Sequence, residues 1–348
     1  FSILVYDKET ETVSCFRDHL GEKPLYRYDV NDRTIISSDL GVIAKYDIKP
    51  NLSLINCMNL ISKGYLSEAK TIFSNVLKIN LIKHSENKFY SDYVGGEETL
   101  EETLTQVGKI QAVDGAALLL SGGIDSLLAG KLLQKKNPIC YTIVSDPNTK
   151  FDESSQTRNN AKLLNLDLKI VEIENLYSLH NFDQTIRKLN EPVGDPGIFN
   201  QNVIFNEISK QHKVCFSGTA ADEIFHGYLR YRKNFFGGYI SWLKKVISVK
   251  DSQSRIAKIL NGDIYTMEDD RKNYLPNQLF SASDSISFNS GVELRTPFSS
   301  ILLRKHWKKS QDVKIFDYLI LKRELKWLLF RRFKINRFTL KKRGFTND

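Results

Sequence analysis

Apolar positions divide the chain into two patterns. Over residues 1 to about 90, short apolar runs alternate with turn residues. Phe1 to Tyr6, Val13 to Phe16, Leu25 to Tyr28 and Thr34 to Ser37 predict strands of one antiparallel sheet, with Gly21 and Asp32 in the turns between them. A short helix is predicted over Leu40 to Tyr46, and the polar, Gly-bearing stretch Ser91 to Gly96 reads as a linker. After it, strands alternate with helices. Helices are predicted over Thr99 to Val107, Asp125 to Gln134 and Glu153 to Leu164, and strands over Ala116 to Leu120, Ile139 to Ser145, Leu168 to Ile173 and Lys213 to Phe216. This alternation predicts a doubly wound parallel sheet with helices on both faces. Beyond Tyr228 the pattern is mostly helical, and no internal repeat is visible.

Two strand ends carry candidate chemistry. The apolar run to Leu120 stops at Ser121-Gly122-Gly123, and an amphipathic helix follows from Asp125. A strand that ends in a Gly-rich turn and opens a helix presents backbone N–H groups to an anion. Ser121 and Ser126 add hydroxyls, and Asp125 can hold a divalent cation against phosphates. No Lys follows the glycines, so this is not the Lys-bearing phosphate loop. The second strand end reads Phe216-Ser217-Gly218-Thr219-Ala220-Ala221-Asp222-Glu223. Asp222 and Asp125 can share magnesium. Ligands of such sheets bind at the carboxyl ends of strands, near the switch in strand order.

Composition changes the picture little. At 348 residues the chain suits two domains, and 41% hydrophobic residues suffice for real cores. No apolar stretch is long enough to span a bilayer. Cys15, Cys57, Cys140 and Cys215 are scattered and read as buried thiols of a reducing cytosol. The net charge of +9 belongs to the C-terminus: residues 301–348 hold 15 Lys and Arg against 4 Asp and Glu, and the remainder 35 against 37. Such a tail suits either nucleic acid or a solvated helical face with a few cations turned towards phosphates. Leu325, Leu328, Leu329 and Phe333 at helical spacing favour the second.

The chain resembles the asparagine synthetase family along nearly its whole length. Ser121 to Ser126 is similar to the family's SGGLDS pyrophosphatase loop, and Ser217 to Tyr228 to its SGEGADELFGGY. Glu191 to Asp195 resembles its DxPxxD segment, Gly291 to Phe298 its GxExRxPF, Lys322 to Lys326 its KxxLR helix and Lys342 to Phe345 its KxGF loop. Arg17 to Tyr26 is similar to the RDxxGxKPLYY of its glutaminase domain. The resemblance implies an antiparallel α+β glutaminase-like remnant over residues 1–92 and a doubly wound ATP-pyrophosphatase domain with a helical C-terminal part over 97–348. It implies an ATP-dependent amide ligase. A carboxylate, aspartate first, attacks the α-phosphorus of ATP, and ammonia, free or from glutamine, then attacks the acyl-adenylate, leaving AMP and pyrophosphate. Under it Lys322, Asp222 and Glu223 are catalytic, and Asp125 and Asp222 hold magnesium. Leu119, Ser121, Gly122, Gly123, Asp125, Ser126, Val144, Ser217, Gly218 and Lys342 bind the nucleotide. The expected setting is cytoplasmic, without nucleic-acid or membrane partners, and a homodimer is allowed.

The departures bear on the substrate. Thr219 stands where the family carries an acidic residue, Ala220 replaces a Gly, Asn190 stands in place of the first Asp of DxPxxD, and Ser299-Ser300 follows Phe298 without the family's Asp. Such variation suits another carboxylate, such as a sugar acid or a peptide. The glutaminase nucleophile, a Cys at the mature N-terminus, has no counterpart, since Cys15 lies in a predicted strand. The sequence starts at Phe1 without an initiator Met, which favours a fragment; the alternative is a structural platform fed with ammonia from elsewhere. A tRNA-modifying adenylating enzyme and a non-catalytic ATP-binding relative are the rival readings.

Overall fold

The computed structural model describes residues 1–46, 49–66, 69–79, 97–144, 153–173, 176, 178–228, 230–231, 267–307 and 320–336. The stretch that reads as a linker, 91–96, lies outside the described residues. Among the described residues, strands β1 (Ser2–Asp7) and β2 (Thr12–Arg17) pair only with each other. Strand β3 (Tyr26–Val30) sits between β4 (Arg33–Ser37) and β5 (Val76–Lys78) in a second antiparallel sheet. The expectation of one sheet is therefore corrected. The cause is the segment between β2 and β3, which coils into a loop instead of a tight turn. The Asp18 carboxylate accepts the N–H groups of Leu20, Glu22 and Lys23 at 3.1, 2.9 and 3.1 Å. The Arg17 guanidinium spans the carbonyls of Lys23, Gly21 and Ile79 at 2.9, 3.2 and 3.1 Å. Arg17 and Asp18 thus spend their charge on closing the loop, and the chain leaves the plane of β1–β2.

Helix α1 (Leu40–Ala44) starts at Asp39, whose carboxylate accepts the Gly41 N–H at 2.7 Å. Helix α2 (Leu54–Lys63), which the alternating pattern did not announce, is capped by Ser53 and stopped by Gly64 at φ +79°. Its Leu54, Ile55, Met58 and Ile61 recur at helical spacing, yet this stripe is exposed. Tyr26, Tyr28, Leu40, Ile43 and Val76 form a small core beneath.

The parallel unit opens with α3 (Leu100–Gln111), held by a capping box between Thr99 and Glu102. It continues through β6 (Ala117–Leu119), α4 (Ile124–Leu133), β7 (Ile139–Val144), α5 (Ser154–Leu164), β8 (Leu168–Glu172), α6 (Leu179–Lys188), α7 (Gly197–Ile208), β9 (Val214–Phe216) and α8 (Ala221–Ile224). A helical run α9 joins Met267–Asp269, Asp270–Phe280 and Ser281–Asn289, and β10 (Glu293–Arg295) and α10 (Arg323–Phe333) follow. The middle of α9 has the wider π turn around Pro276, a residue with no N–H to give to an α-helical ladder. Three-residue β10 interrupts the stretch expected to be mostly helical.

All five strands are parallel, in the order β10-β9-β6-β7-β8. Side chains alternate between two cores. Leu118, Leu120, Cys140 and Phe216 face one with α3, α4 and α10; Ala117, Tyr141 and Cys215 face the other with α7 and α9. This is the doubly wound α/β sheet. The apolar face of α10, Leu325 and Leu329, belongs to the first core, and on its outer side Arg332 pairs with Glu101 at 2.9 Å. All four cysteines are free thiols. Cys140 and Cys215 are buried, and burial pushes the Cys140 thiol up to about 12; Cys15 and Cys57 are only half-buried, against expectation. Among the described residues no helix is long and apolar enough to cross a membrane.

The N-terminal sheet grips the parallel unit at the segment Glu191 to Asp195. The Tyr26 hydroxyl donates to Glu191 Oε1 at 2.6 Å, and Lys78 Nζ reaches Glu191 Oε2 at 2.8 Å and Asn277 Oδ1 at 2.9 Å. The side chains of Lys78 and Glu191 are 5% and 6% exposed, so removing one strands the other charge in a dry interface. We therefore expect Glu191→Ala to lose on the order of 3–5 kcal/mol in urea unfolding. The apolar pair Lys78→Met with Glu191→Leu should lose less than that single change. A loss under about 1 kcal/mol for Glu191→Ala would place the pair in solvent.

Candidate active site

Strand order reverses at β6: the chain proceeds to one side through β7 and β8, and to the other through β9 and β10. By the general rule for open α/β sheets, such a switch in strand order is where a ligand site forms, between the loops that leave β6 and β9. Both predicted strand ends border it.

The first loop is built by its own hydroxyls. The Ser121 N–H donates to Ser126 Oγ at 3.0 Å, the two hydroxyls lie 3.1 Å apart, and the Gly123 N–H donates to Ser121 Oγ at 3.1 Å. Asn160 of α5 donates to the Ser121 carbonyl at 2.9 Å. Gly122 directs its N–H to a carboxylate, Glu153 Oε2, at 3.1 Å. An anion thus already sits on one arm of the predicted phosphate cradle. Gly123 is the N-cap of α4, so Ile124, Asp125 and Ser126 form its first turn.

The second loop presses against the first. A Cβ on Gly218 would stand 2.7 Å from the Ser126 nitrogen and 2.8 Å from Asp125 Cβ, closer than carbon can approach. The Ser217 hydroxyl bonds Thr219 Oγ1 at 2.9 Å, so the residue in the place of the family's acidic group is tied back into its own loop. Ala220 follows at φ +74°, a left-handed conformation costing ~1–2 kcal/mol in any residue with a Cβ.

Lys322 joins the two loops. Its ammonium pairs with Asp125 and, at 2.7 Å, with Asp222 Oδ1. The residue is 5% exposed. Burial by itself would lower its pKa, but the two carboxylates outweigh burial and hold the amine protonated above its ordinary range. Lys322 is also left-handed, φ +53°, at the N-cap of α10, and its N–H donates to the His226 carbonyl at 3.3 Å. Its side chain passes over Gly227, where a Cβ would meet Asp222 Oδ1 at 1.9 Å and Lys322 Cε at 2.2 Å. His226, beside it, is left-handed too, at φ +59°. Strained backbone of this kind collects where side chains must be aimed.

Asp125, Asp222 and Lys322 thus meet in one cluster, bordered by Ser121, Gly122, Gly123, Ser126, Ser217 and Gly218. Leu119 and Val144 end the adjacent strands β6 and β7. Glu223, next to Asp222 in α8, is buried, accepts the Tyr228 hydroxyl at 2.6 Å, and its carbonyl takes Arg271 Nη1 at 3.0 Å. Burial, then the Glu223 carboxylate, push the Tyr228 phenol well above its ordinary pKa. Lys342 lies outside the described residues. Glu153, Asn160 and Gly227 escaped the sequence reading. Gly227 stood inside the matched run that ends at Tyr228, but its role depends on a lysine about a hundred residues away. As to a metal, two carboxylates from separate strand ends already enclose a positive charge. Hard oxygen donors of this kind suit magnesium.

Residues 100–306 match the family model described as asparagine synthase, and residues 1–89 the one described as glutamine amidotransferase domain. The chain is 25% identical over 291 residues to "Putative asparagine synthetase 2 (glutamine-hydrolyzing)" of Methanocaldococcus jannaschii, covering 75% of this chain and 56% of that protein. It is 23% identical over 257 residues to the glutamine-hydrolyzing asparagine synthetase 1 of Bacillus subtilis, covering 67% and 40%. The chain thus spans about half the length of the curated relatives it matches. Among solved structures, the NH3-dependent NAD synthetase of Campylobacter jejuni aligns with a TM-score of 0.28 and 12% identity over 50% of this chain and 93% of that one.

Since Lys322 crosses directly over the Gly227 Cα, Gly227→Ala should push the lysine off Asp222. Overpacking of this kind costs about 1–3 kcal/mol, to be read from the urea midpoint. An unchanged midpoint would show that the lysine does not take this path in solution.

Proposed function

The chain belongs to the asparagine synthase family, and from that membership we propose that it is an ATP-dependent amide ligase. It adenylates a substrate carboxylate and passes the acyl group to ammonia, releasing AMP and pyrophosphate. One observation carries the reading: a lysine ammonium and two carboxylates converge where the Ser-Gly loops of β6 and β9 face each other. A carboxylate is a poor acyl donor, and adenylation gives it a leaving group. In this reading the Ser121 to Ser126 loop, with Ser217 and Gly218, receives the β and γ phosphates through backbone N–H groups and hydroxyls. Asp125 and Asp222 would hold magnesium, which when bound supplies the charge that neutralises departing pyrophosphate. Lys322 offsets negative charge developing at the α-phosphorus and then at the tetrahedral carbon. Glu223, tied to Tyr228, holds the short helix that aims Asp222.

In the same reading residues 97–348 are the synthetase unit and residues 1–92 the glutaminase-like unit. The ammonia then comes from glutamine or from solution. Aspartate, giving asparagine, is the first candidate substrate. Thr219 favours a second. A hydroxyl bound to Ser217 replaces a carboxylate, so the site offers one fewer negative charge to an acceptor, and a sugar acid or peptide carboxylate becomes the alternative.

Asp125→Asn keeps shape and removes charge. We expect it to lower carboxylate-dependent release of AMP and pyrophosphate by on the order of a hundredfold or more, with the thermal midpoint close to that of the parent. The assay pairs aspartate and ammonium with alternative carboxylates in the presence of magnesium and ATP. Orthophosphate and ADP as products would overturn the assignment.

A further inference from the structure

The two carboxylates assigned to magnesium are already engaged by a cation, the chain's own Lys322. Its ammonium lies between Asp125, in the first turn of α4, and Asp222, in α8, with 5% of the residue exposed. Two carboxylates and one ammonium leave the cluster with a net charge of −1. Adding a divalent ion while the ammonium stays would make it +1 in a buried place, and the ion and the ammonium would compete for the same oxygens. One of them must leave.

The geometry points to Lys322, resting on the adenylating reading above, as a tethered cation: we propose that it holds the Asp125–Asp222 pair closed until a divalent ion displaces it, and that displacement frees it for the reacting phosphate.

Three further features fit a held and releasable lysine. Its backbone is left-handed, a conformation a non-glycine residue keeps only while its surroundings impose it. It is the N-cap of α10, so a change in its own dihedrals can swing the side chain without unwinding the helix behind it. Its stem crosses Gly227, the position that offers no Cβ to obstruct a sweep. The anion side is arranged alike, because Glu153 occupies the Gly122 N–H that phosphate would take. Both charges of the nucleotide–metal pair thus have a stand-in from the chain. In the closed site Lys322 touches both carboxylates, and entry of the ligands exchanges one set of ion pairs for another.

The test uses Mn2+ alone, without nucleotide, on the whole chain. Free Mn2+ is followed by electron paramagnetic resonance. Lys322→Met keeps the length of the stem and removes the charge. We expect it to bind Mn2+ at least tenfold more tightly than the parent, and Asp125→Asn added to it to abolish the gain. Should Lys322→Met fail to fold, the parent decides. Acetylation of Lys322 by an amine-reactive ester, read by mass spectrometry, should be slow without metal and at least fivefold faster in saturating Mg2+. Unchanged or weaker Mn2+ binding by folded Lys322→Met, or labelling of the parent indifferent to Mg2+, overturns the proposal. The adenylation reading is scored apart from it. If Mn2+ affinity rises as expected but no carboxylate yields AMP, the tethered cation stands and the ligase reading falls. If AMP forms and neither metal readout moves, the tethered cation falls alone.

Discussion

Strand β6 imposes the constraint on which everything else depends. It is flanked on both sides by parallel strands, and the order of the strands reverses there, so the turns that leave β6 and β9 come together at one end of the sheet. The sequence places small residues where these turns meet. Gly218 lets the second loop touch the first, and Gly227 lets a distant lysine reach both. The chemistry is a by-product of strand order: two acids on adjoining loops need a cation to bridge them, and the N-cap of α10 brings it.

The central part of this architecture was legible in sequence because each strand is a buried apolar run and each turn carries glycine or serine. The Ser121 loop, the limits of α4 and α5, and the parallel arrangement all follow from such local signals. What escaped was set by distance along the chain. Strands β5 (Val-Leu-Lys) and β10 (Glu-Leu-Arg) lack the apolar run that marks β6 and β9, and are strands because β3 and β9 offer ladders. Helix α2 carried a helical stripe in Leu54, Ile55, Met58 and Ile61 that the alternating pattern around it obscured, and the structure leaves that stripe exposed. The split of the N-terminal strands into two sheets depends on how Arg17 and Asp18 use their charges, and no propensity encodes that. In the site, Asp125, Asp222 and Lys322 were visible as motif residues. That Glu153 reaches Gly122, and that Glu223 turns to Tyr228, are facts of packing.

The N-terminal loop from Arg17 to Tyr26 gains a physical role. Its charges are turned inward to close the loop, and its ends touch the parallel unit: Lys23 Nζ reaches Asp284 Oδ1 at 2.5 Å, the Ser299 hydroxyl donates to Glu22 Oε2 at 2.8 Å, and Tyr26 holds Glu191. Burial raises the pKa of Glu22, with Asp18 adding to it. A buried polar seam of this kind fixes orientation more than it adds stability. It explains why the segment keeps so many ionisable residues so far from solvent.

One contact in that seam has no side chain in it. The Gly194 N–H donates to the Gly64 carbonyl at 2.7 Å, and a Cβ on Gly194 would fall 2.7 Å from Gly64 Cα, so helix α2 ends directly on the backbone of the segment before α7. Side-chain contacts absorb small displacements by changing rotamer, as a soft gasket does. Backbone laid on backbone has no rotamers to change. At this joint the end of α2 and the Glu191–Asp195 segment meet backbone to backbone, with no rotamer between them to take up a displacement.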